Sequence, residues 1–120
     1  MAFLSGWNYR KSITIQHANV SGNLTDFPVY IFIDGDSDIG GNISDSTNGF
    51  DIRFTESDGE TLLKYERMFF EVDTGDCNAH YWVKVTSILA VSGAVIYIYY
   101  NDGDMVDGGA ELIAFTAEEA

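Results

Sequence analysis

The sequence predicts an all-β fold, an antiparallel β-sandwich of jelly-roll-like form. Apolar and polar residues alternate in most of six short segments, which is the period of a half-buried strand. These segments are separated by turns rich in Gly, Asp and Ser, and no helical period is convincing before the C-terminal tail. Antiparallel strands joined by short turns, without intervening helices, are typical of a sandwich or a barrel.

The first half of the chain carries three predicted strands. Isoleucines alternate with hydroxyl residues in YRKSITIQ, which predicts the first strand over residues 9–16. The β-branched and aromatic run FPVYIFI predicts the second over residues 27–33, where Pro28 is tolerated only near a strand start or on an edge. The alternation in GFDIRFTE predicts the third over residues 49–56.

The second half carries three more. Asp58-Gly59 in SDGE predicts a hairpin turn with positive φ angles, so that TLLKYERMFFEV returns over residues 61–72 as the partner of the third strand. After the turn DTGDCNA, HYWVKVTSI predicts a strand over residues 80–88 and AVIYIYYN another over residues 94–101.

The sixth strand is apolar on both faces, which predicts a central position. One face would meet the core, and the other would be covered by the tail, a loop or a neighbouring subunit. The two faces consist of alternate residues: Val95, Tyr97 and Tyr99 on one, and Ile96, Ile98 and Tyr100 on the other.

The chain length of 120 residues predicts one domain, 1–120. Its core would span about residues 6–101, between a short arm at 1–5 and a second arm at 102–120. The tail segment GGAELIAFTAEEA fits a short amphipathic helix or an extended arm.

Charge and composition exclude several classes of partner. Nineteen acidic residues against six basic ones give a net charge of −13, which repels phosphate backbones and anionic lipids, so neither nucleic acid nor a membrane is expected.

No leader segment and no long apolar run is visible, which predicts a soluble chain. A single cysteine, Cys77, excludes an internal disulfide.

The acidic stretch DGDSDIGGNISD raises the question of a calcium site. Asp34, Asp36 and Asp38 occupy the first, third and fifth positions of a calcium-binding loop. The sixth and twelfth positions, where such a loop needs Gly and Glu, are Ile39 and Asp45. A mobile acidic loop without a metal is therefore expected.

No catalytic constellation emerges from the sequence. Cys77 lies three residues before His80, a separation that a tight turn could close, but no third group is positioned to orient the pair. Pairs of carboxylates are too numerous to single one out as a glycosidase pair. We expect no enzyme, no catalytic residue and no cofactor.

Aromatic side chains are candidates for sugar binding, because sandwich modules often hold glycans on exposed Trp or Tyr rings. The candidates are Trp7, Tyr65, Tyr81 and Trp82. Trp7 and Tyr9, however, share the strand parity of the isoleucines of the first strand, which favours packing on the core.

Five segments resemble a known family. GWNYRKSITI, FPVYIFI, GFDIRFTESDGETLLKYE, YWVKV and IYIYYN follow one another over residues 6–101 and together resemble the domain of unknown function 2341 of bacterial, archaeal and phage proteins. The resemblance implies a β-rich module without an assigned activity, commonly found in exported or surface proteins beside lectin-like domains. Members usually close with Tyr-Tyr-Gly-Asn, whereas Tyr99-Tyr100 is followed here by Asn101-Asp102.

These observations together lead to a functional hypothesis. A module typical of cell-exterior proteins, on a short chain without an export signal, fits a phage particle, whose proteins reach the exterior by assembly. The predicted function is a non-catalytic virion surface component, a capsid-decorating or tail-accessory protein, that forms homo-oligomers and docks on a larger assembly. The alternative is a carbohydrate-binding, lectin-like module. Apolar residues at both ends are the candidate assembly contacts: Phe3, Leu4, Leu112, Ile113 and Phe115.

Overall fold

The computed structural model describes residues 4, 6–16 and 21–102. Six strands and one short helix follow one another in this part of the chain, as the alternating pattern predicted. They are β1 (Trp7–Ile15), β2 (Leu24–Asp36), α1 (Ser37–Asn42), β3 (Ile52–Thr55), β4 (Tyr65–Asp73), β5 (Asp76–Ile88) and β6 (Ala94–Asp102).

The strands form two antiparallel three-stranded sheets that pack as a sandwich. Sheet A has the order β1-β6-β3, and sheet B has the order β2-β5-β4. The chain changes sheet at every connection between consecutive strands except the β4–β5 hairpin. This order is jelly-roll-like, with six strands in the described residues where a full jelly roll has eight.

The core lies between the sheets and is built from alternate residues of the central strands, β5 and β6. A triangle of rings at its centre joins Phe54, Tyr65 and Tyr81, with centroids 5.1–5.8 Å apart. The Tyr65 hydroxyl donates to the Ile52 carbonyl oxygen at 2.9 Å. The Tyr81 hydroxyl has no hydrogen-bond partner within the described part of the chain, and burial raises its pKa well above the usual range.

The hairpin predicted between the third and fourth strands forms only next to its turn, and the rest of the predicted pairing is wrong. The turn at Asp58-Gly59 forms, with only Gly59 at positive φ, but β3 pairs with β6 and β4 pairs with β5. One isolated bridge, Thr55 to Leu62, joins the two segments before the chain crosses to sheet B. Because the chain crosses between the sheets here, the apolar residues of β3 enter the core from sheet A and those of β4 enter it from sheet B.

A two-residue hairpin turn in which both residues have positive φ angles lies instead between β4 and β5. Thr74 and Gly75 have φ angles of 55° and 83°, as a type I′ hairpin turn requires. As a result β5 begins at Asp76, four residues earlier than predicted, and continues the alternation with Cys77 and Ala79 in the core.

The acidic stretch is more ordered than the mobile loop that the sequence predicted. Strand β2 continues to Asp36, which caps α1 by accepting hydrogen bonds from the backbone N–H groups of Asp38 and Ile39, both at 2.9 Å. Ile39 is buried in the core and so fixes α1 against it. Gly40 packs so closely on the Gly75 backbone that a methyl group would not fit there.

The outer face of β6 is covered in part by residues of the domain itself. The Arg10 guanidinium lies 4.3 Å from the centroid of the Tyr97 ring. The Tyr99 hydroxyl accepts from Arg10 at 2.9 Å and from the Leu4 backbone N–H at 3.1 Å, and donates to the Gly59 carbonyl at 2.7 Å. Half-buried Leu4 thus contacts its own domain at Tyr99.

Four of the five predicted assembly contacts, Phe3, Leu112, Ile113 and Phe115, lie outside the described residues, as does most of the predicted C-terminal arm or helix. In the described residues, no helix has both the length and the hydrophobicity to cross a membrane.

Candidate functional site

The outer side of sheet B carries a cluster of ring side chains. The register pairs Tyr30 with Trp82, and it places Phe32 and Phe69 on the two sides of His80. Their neighbours along the strands, such as Ile31 and Tyr81, are buried between the sheets, so these rings point the other way. We call Tyr30, Phe32, Phe69, His80 and Trp82 the aromatic face.

The rings of the aromatic face contact one another around His80. Its imidazole centroid lies 4.5 Å from that of Phe32, 5.3 Å from Phe69 and 5.6 Å from Tyr30. The Tyr30 and Trp82 centroids are 5.0 Å apart, and the four pairs of ring planes are inclined by 49–64°. Phe32 remains 61% exposed. The cluster is therefore a partly exposed apolar surface.

A β-bulge in β4 creates one edge of this face. The register shifts between Arg67 and Phe69, so that Met68 is an extra residue. Without the shift Phe69 would point into the core, whereas the bulge turns it outward beside His80 and turns Phe70 inward. Met68 itself is about half exposed.

Charged residues of both signs surround the aromatic face: Glu66 pairs with Trp82, and further charged residues lie at the two ends. Glu71 pairs with Asn78 at one end. At the other end the Lys84 backbone N–H donates to the Lys64 carbonyl at 2.9 Å, and Lys64 points outward because its neighbours Leu63 and Tyr65 are buried. No carboxylate of a described residue forms an ion pair with either lysine.

Two of the three aspartates that match the first positions of a calcium loop, Asp36 and Asp38, are bound by groups of the protein. Lys11 lies 2.8 Å from an Asp36 oxygen and 3.5 Å from Asp38, which also accepts from the Tyr100 hydroxyl at 2.7 Å. Burial raises the pKa of Asp36, but hydrogen bonds from Lys11 and two backbone N–H groups outweigh it and lower that pKa. Among the described residues, no three His, Cys, Asp or Glu side chains are grouped to hold a metal.

Two further aspartates organise the loop that follows α1. The buried Asp51 carboxylate accepts from the backbone N–H groups of Ser44 at 2.7 Å and Asp45 at 3.1 Å. Asp45 in turn accepts from the N–H groups of Thr47 and Asn48. The Asp45 and Asp51 carboxylates therefore stabilise the backbone of the loop that follows α1.

Cys77 and His80 lie on opposite faces of β5. Cys77 is buried in the core, whereas His80 is on the aromatic face. Burial, with the nearby negative charge of Asp36, raises the pKa of the Cys77 thiol to about 11. The structure does not bring the two side chains together as a nucleophile and base.

The four aromatic residues predicted for sugar binding do not share a surface. Tyr65 and Tyr81 are buried in the core, so their prediction as binding residues is wrong. Trp7 contacts Tyr99 and lies beneath the Arg53 guanidinium on sheet A, at 5.3 Å, which is also not the predicted core position. Trp82 alone belongs to the aromatic face.

The remaining members of the aromatic face were missed, although their alternation was visible. Tyr30 and Phe32 alternate with isoleucines in FPVYIFI, and His80 and Trp82 alternate with Tyr81 and valine in HYWVKV. Both faces of these strands are apolar, so the pattern gave the two sets of residues without showing which set was exposed.

Comparison with known proteins gives a family. The family described as Domain of unknown function (DUF2341) matches residues 48–117, more than half of the chain. The match includes β3 to β6, whereas the resemblance seen in the first two strands lies outside it. No curated protein and no solved structure matches the chain. With its central and C-terminal parts matched in this way, the chain belongs to the domain of unknown function 2341 family.

Proposed function

We propose that this chain is a non-catalytic interaction module that binds a protein surface through the aromatic face. The observation that carries the proposal is the cluster of contacting, partly exposed rings on the outer side of sheet B. Contiguous apolar patches of this kind mark interaction sites on soluble proteins. Tyr, Trp and Phe, which all occur here, are among the residues enriched in protein interfaces.

The finer proposal is that the bound surface belongs to a phage particle, to which the chain attaches as a capsid-decorating or tail-accessory protein. The resemblance to modules of exterior proteins supports this setting. The aromatic face supplies the kind of attachment surface that such a role requires.

Glycan binding is the alternative, because Tyr and Trp rings also stack on sugars. The inclination of 49–64° between neighbouring rings favours a protein partner, since rings tilted in this way do not form one flat platform along a sugar chain. Quenching of Trp82 fluorescence by a glycan, lost in a variant with Trp82→Phe, would favour the alternative.

Site-specific photo-crosslinking in the source cells or particles tests the proposal. Phe32 is replaced by p-benzoylphenylalanine, and the matched control replaces Val91, which is 84% exposed in the β5–β6 turn and away from the aromatic face. We expect a protein adduct at position 32 and none at position 91. A capsid or tail protein in that adduct would support the virion setting.

Two outcomes would contradict the proposal. Equal adducts at both positions would mean that the aromatic face is not preferred over other exposed apolar residues. A glycan adduct at position 32, or none at all, would reject a protein partner.

A further inference from the structure

Strand β3 covers only part of one edge of β6, the central strand of sheet A. The last pair between them joins Thr55 to Tyr97, and β3 ends there. On the opposite edge, β6 stays paired with β1 as far as Ala94. Within the described residues, positions 94–96 of β6 therefore have a neighbouring strand on the β1 edge only.

The register shows which backbone groups face the uncovered edge. The Phe54 carbonyl accepts from the Leu63 N–H at 2.8 Å and so faces away from β6. Because consecutive residues of a strand direct their N–H and C=O groups to opposite edges, Thr55 faces β6 and bonds to Tyr97. Two residues before Tyr97, Val95 directs both of its groups to this same edge.

The backbone N–H and C=O groups of Val95 form no hydrogen bond to any part of the chain that the structure describes. On one side of Val95, β3 has turned away after Thr55. On the other side Gly93 is already bonded to Leu89, through N–H groups in both directions at 2.7 and 3.0 Å. Gly93 and Tyr97 are about 13 Å apart along the strand. We call Val95 and the space beside it the β6 gap.

A cavity of about 400 Å³ opens at the β6 gap. This volume is within the range of about 300–1,000 Å³ that is usual for small-ligand sites. Its lining includes two core residues from facing sheets, Val85 of β5 and Ile96 of β6. Hydroxyl side chains and one charged residue, Glu56, also line it. None of the residues that line the cavity belongs to the aromatic face.

Glu56 is placed where β3 would continue along β6. Its backbone N–H donates to the Thr61 carbonyl at 2.9 Å, which turns the chain away, and its half-buried side chain lines the cavity. No basic residue that the structure describes forms an ion pair with its carboxylate.

Other charges near the cavity do not neutralise this carboxylate. The acidic residues Asp58 and Glu60 follow in the same turn. Lys64 and Lys84 line a separate depression together with Asp26. A partly buried carboxylate without a cationic partner favours a positively charged ligand group at this end of the cavity.

We propose that the β6 gap binds a short extended peptide with a free N-terminus. A peptide that continues the line of β3 runs antiparallel to β6, and its first residue lies opposite Val95, directly after the position of Glu56. Its α-ammonium group donates to the Val95 carbonyl and meets the Glu56 carboxylate, while its first carbonyl accepts from the Val95 N–H. Addition of a strand to a sheet edge and capture of an amino terminus are both known modes of peptide recognition. This second site goes beyond the proposed function and does not depend on the aromatic face.

The same register predicts which side chain of the peptide is selected. Side chains of paired residues point to the same face of a sheet, and successive ones alternate. Val95 is on the outer face and 40% exposed, whereas Ala94 packs against the core. The first side chain of the peptide therefore points outward, and the second, opposite Ala94, points inward towards Val85. The expected ligand has a free amino group and an apolar second residue.

Peptide titration followed by nuclear magnetic resonance tests the site. The probe is the peptide Thr-Val-Thr with an amidated C-terminus, added to isotope-labelled protein, and the control probe is the same peptide with an acetylated N-terminus. We expect the free peptide to shift the Val95 amide signal and to slow its hydrogen exchange, because this N–H becomes bonded. The acetylated peptide should bind at least about tenfold more weakly, because it lacks the charge that Glu56 meets.

Two carboxylate variants separate the role of Glu56 from a general loss of acidic charge. Glu56→Gln should weaken binding of the free peptide by about threefold to tenfold and leave binding of the acetylated peptide unchanged. The matched control is Glu60→Gln, in the same turn but outside the cavity lining, which should change binding by less than about twofold.

Two proline variants test whether the Val95 N–H is free. Val95→Pro removes an N–H without a partner and should stay folded by circular dichroism, but it should no longer bind the peptide. Ile96→Pro removes an N–H that faces β1 and should destabilise the fold. Unfolding of Val95→Pro would contradict the free N–H.

Three results would overturn the inference. The first is equal binding of the free and acetylated peptides, and the second is an effect of Glu60→Gln as large as that of Glu56→Gln. The third is a Val95 amide signal that neither peptide shifts at millimolar concentration. None of these results bears on the crosslinking expected at position 32, so the proposed function and this site can fail separately.

Discussion

Two tyrosines in the core differ in one hydrogen bond. Tyr65 and Tyr81 contact each other and Phe54 at similar distances, and both are buried. The Tyr65 hydroxyl donates to the Ile52 carbonyl, while no described residue accepts from or donates to that of Tyr81. A buried polar group without a partner lowers stability by about 1–3 kcal/mol, whereas a satisfied one contributes about 1 kcal/mol.

This difference predicts opposite effects of the same substitution. We expect Tyr65→Phe to lower the free energy of unfolding by about 1 kcal/mol, and Tyr81→Phe to leave it unchanged or raise it by about 1 kcal/mol. Urea unfolding of both variants measures this, and each serves as the control for the other. A loss of stability in Tyr81→Phe as large as that in Tyr65→Phe would contradict the assignment.

For single residues, the sequence predicted correctly which ones share a face of a strand, but it predicted less well which of the two faces is exposed. Ile96, Ile98 and Tyr100 were correctly placed on one face of the last strand. Tyr65 and Tyr81 were candidates for an exposed platform, but they are core residues. A tyrosine fits either environment because its ring is apolar and its hydroxyl can bond to a backbone carbonyl, and the pattern of a doubly apolar strand does not distinguish the two.

Helix α1 illustrates how a short element depends on close packing. Of its two adjacent glycines, Gly40 packs against the Gly75 backbone of the β4–β5 turn, while Gly41 has open space around it. The helix is held by its Asp36 cap and by buried Ile39.

The two glycines should respond differently to alanine. Gly40→Ala should destabilise the fold by about 1–3 kcal/mol, because the methyl group would overlap backbone that cannot move aside easily. Gly41→Ala should stabilise it by about 0.5–1 kcal/mol, because alanine loses less conformational freedom in a helix. Thermal unfolding of both variants checks the sign, and equal effects would show that α1 does not pack on the turn as described.

At the element scale, the sequence predicted which segments form strands but not all of their partners. The Asp58-Gly59 turn suggested a hairpin, since such a dipeptide usually joins paired strands, yet here it precedes a crossing between sheets. The bulge at Met68 was also missed. Three consecutive apolar residues, Met68 to Phe70, break the alternation, and the sequence alone does not show which of them is extra.

The ion pair of Lys11 and Asp36 joins the two sheets of the sandwich. Lys11 belongs to β1 of sheet A and Asp36 ends β2 of sheet B. Hydrogen bonding to Asp36 raises the pKa of Lys11, while Asp36 has a pKa below its ordinary value of 3.8. A carboxyl with a lowered folded-state pKa contributes stability above its unfolded pKa, and that stability is lost as the pH falls through the folded value.

Acid titration of Asp36 variants should reveal this contribution. Asp36→Asn keeps a good cap for α1 but loses the charge, so we expect a cost below about 1 kcal/mol at pH 7 that disappears below the folded-state pKa. Asp36→Ala also loses the cap and should cost about 1 kcal/mol more at every pH. Urea unfolding along a pH series measures both, and a cost of Asp36→Asn that persists in acid would exclude the ion pair as its source.

For the whole molecule, the sandwich followed from the number and spacing of strands, while their order within the sheets did not. Pairing of β1 with β6 joins residues far apart in the chain, and no local signal specifies such a contact. The aromatic face depends on the same long-range pairing, because His80 on β5 meets Phe32 of β2 and Phe69 of β4 only once the sheet has formed.

The pairing of β1 with β6 also sets Trp7 opposite Asp102, so the first and last strands of the described sandwich bring these two residues to neighbouring points. Paired residues on antiparallel strands lie only about 5 Å apart. A host polypeptide could accommodate the domain in one of its surface loops with little change in the loop's span. The same closeness would suit a covalent connection between residues 7 and 102, with new ends opened in the β5–β6 turn.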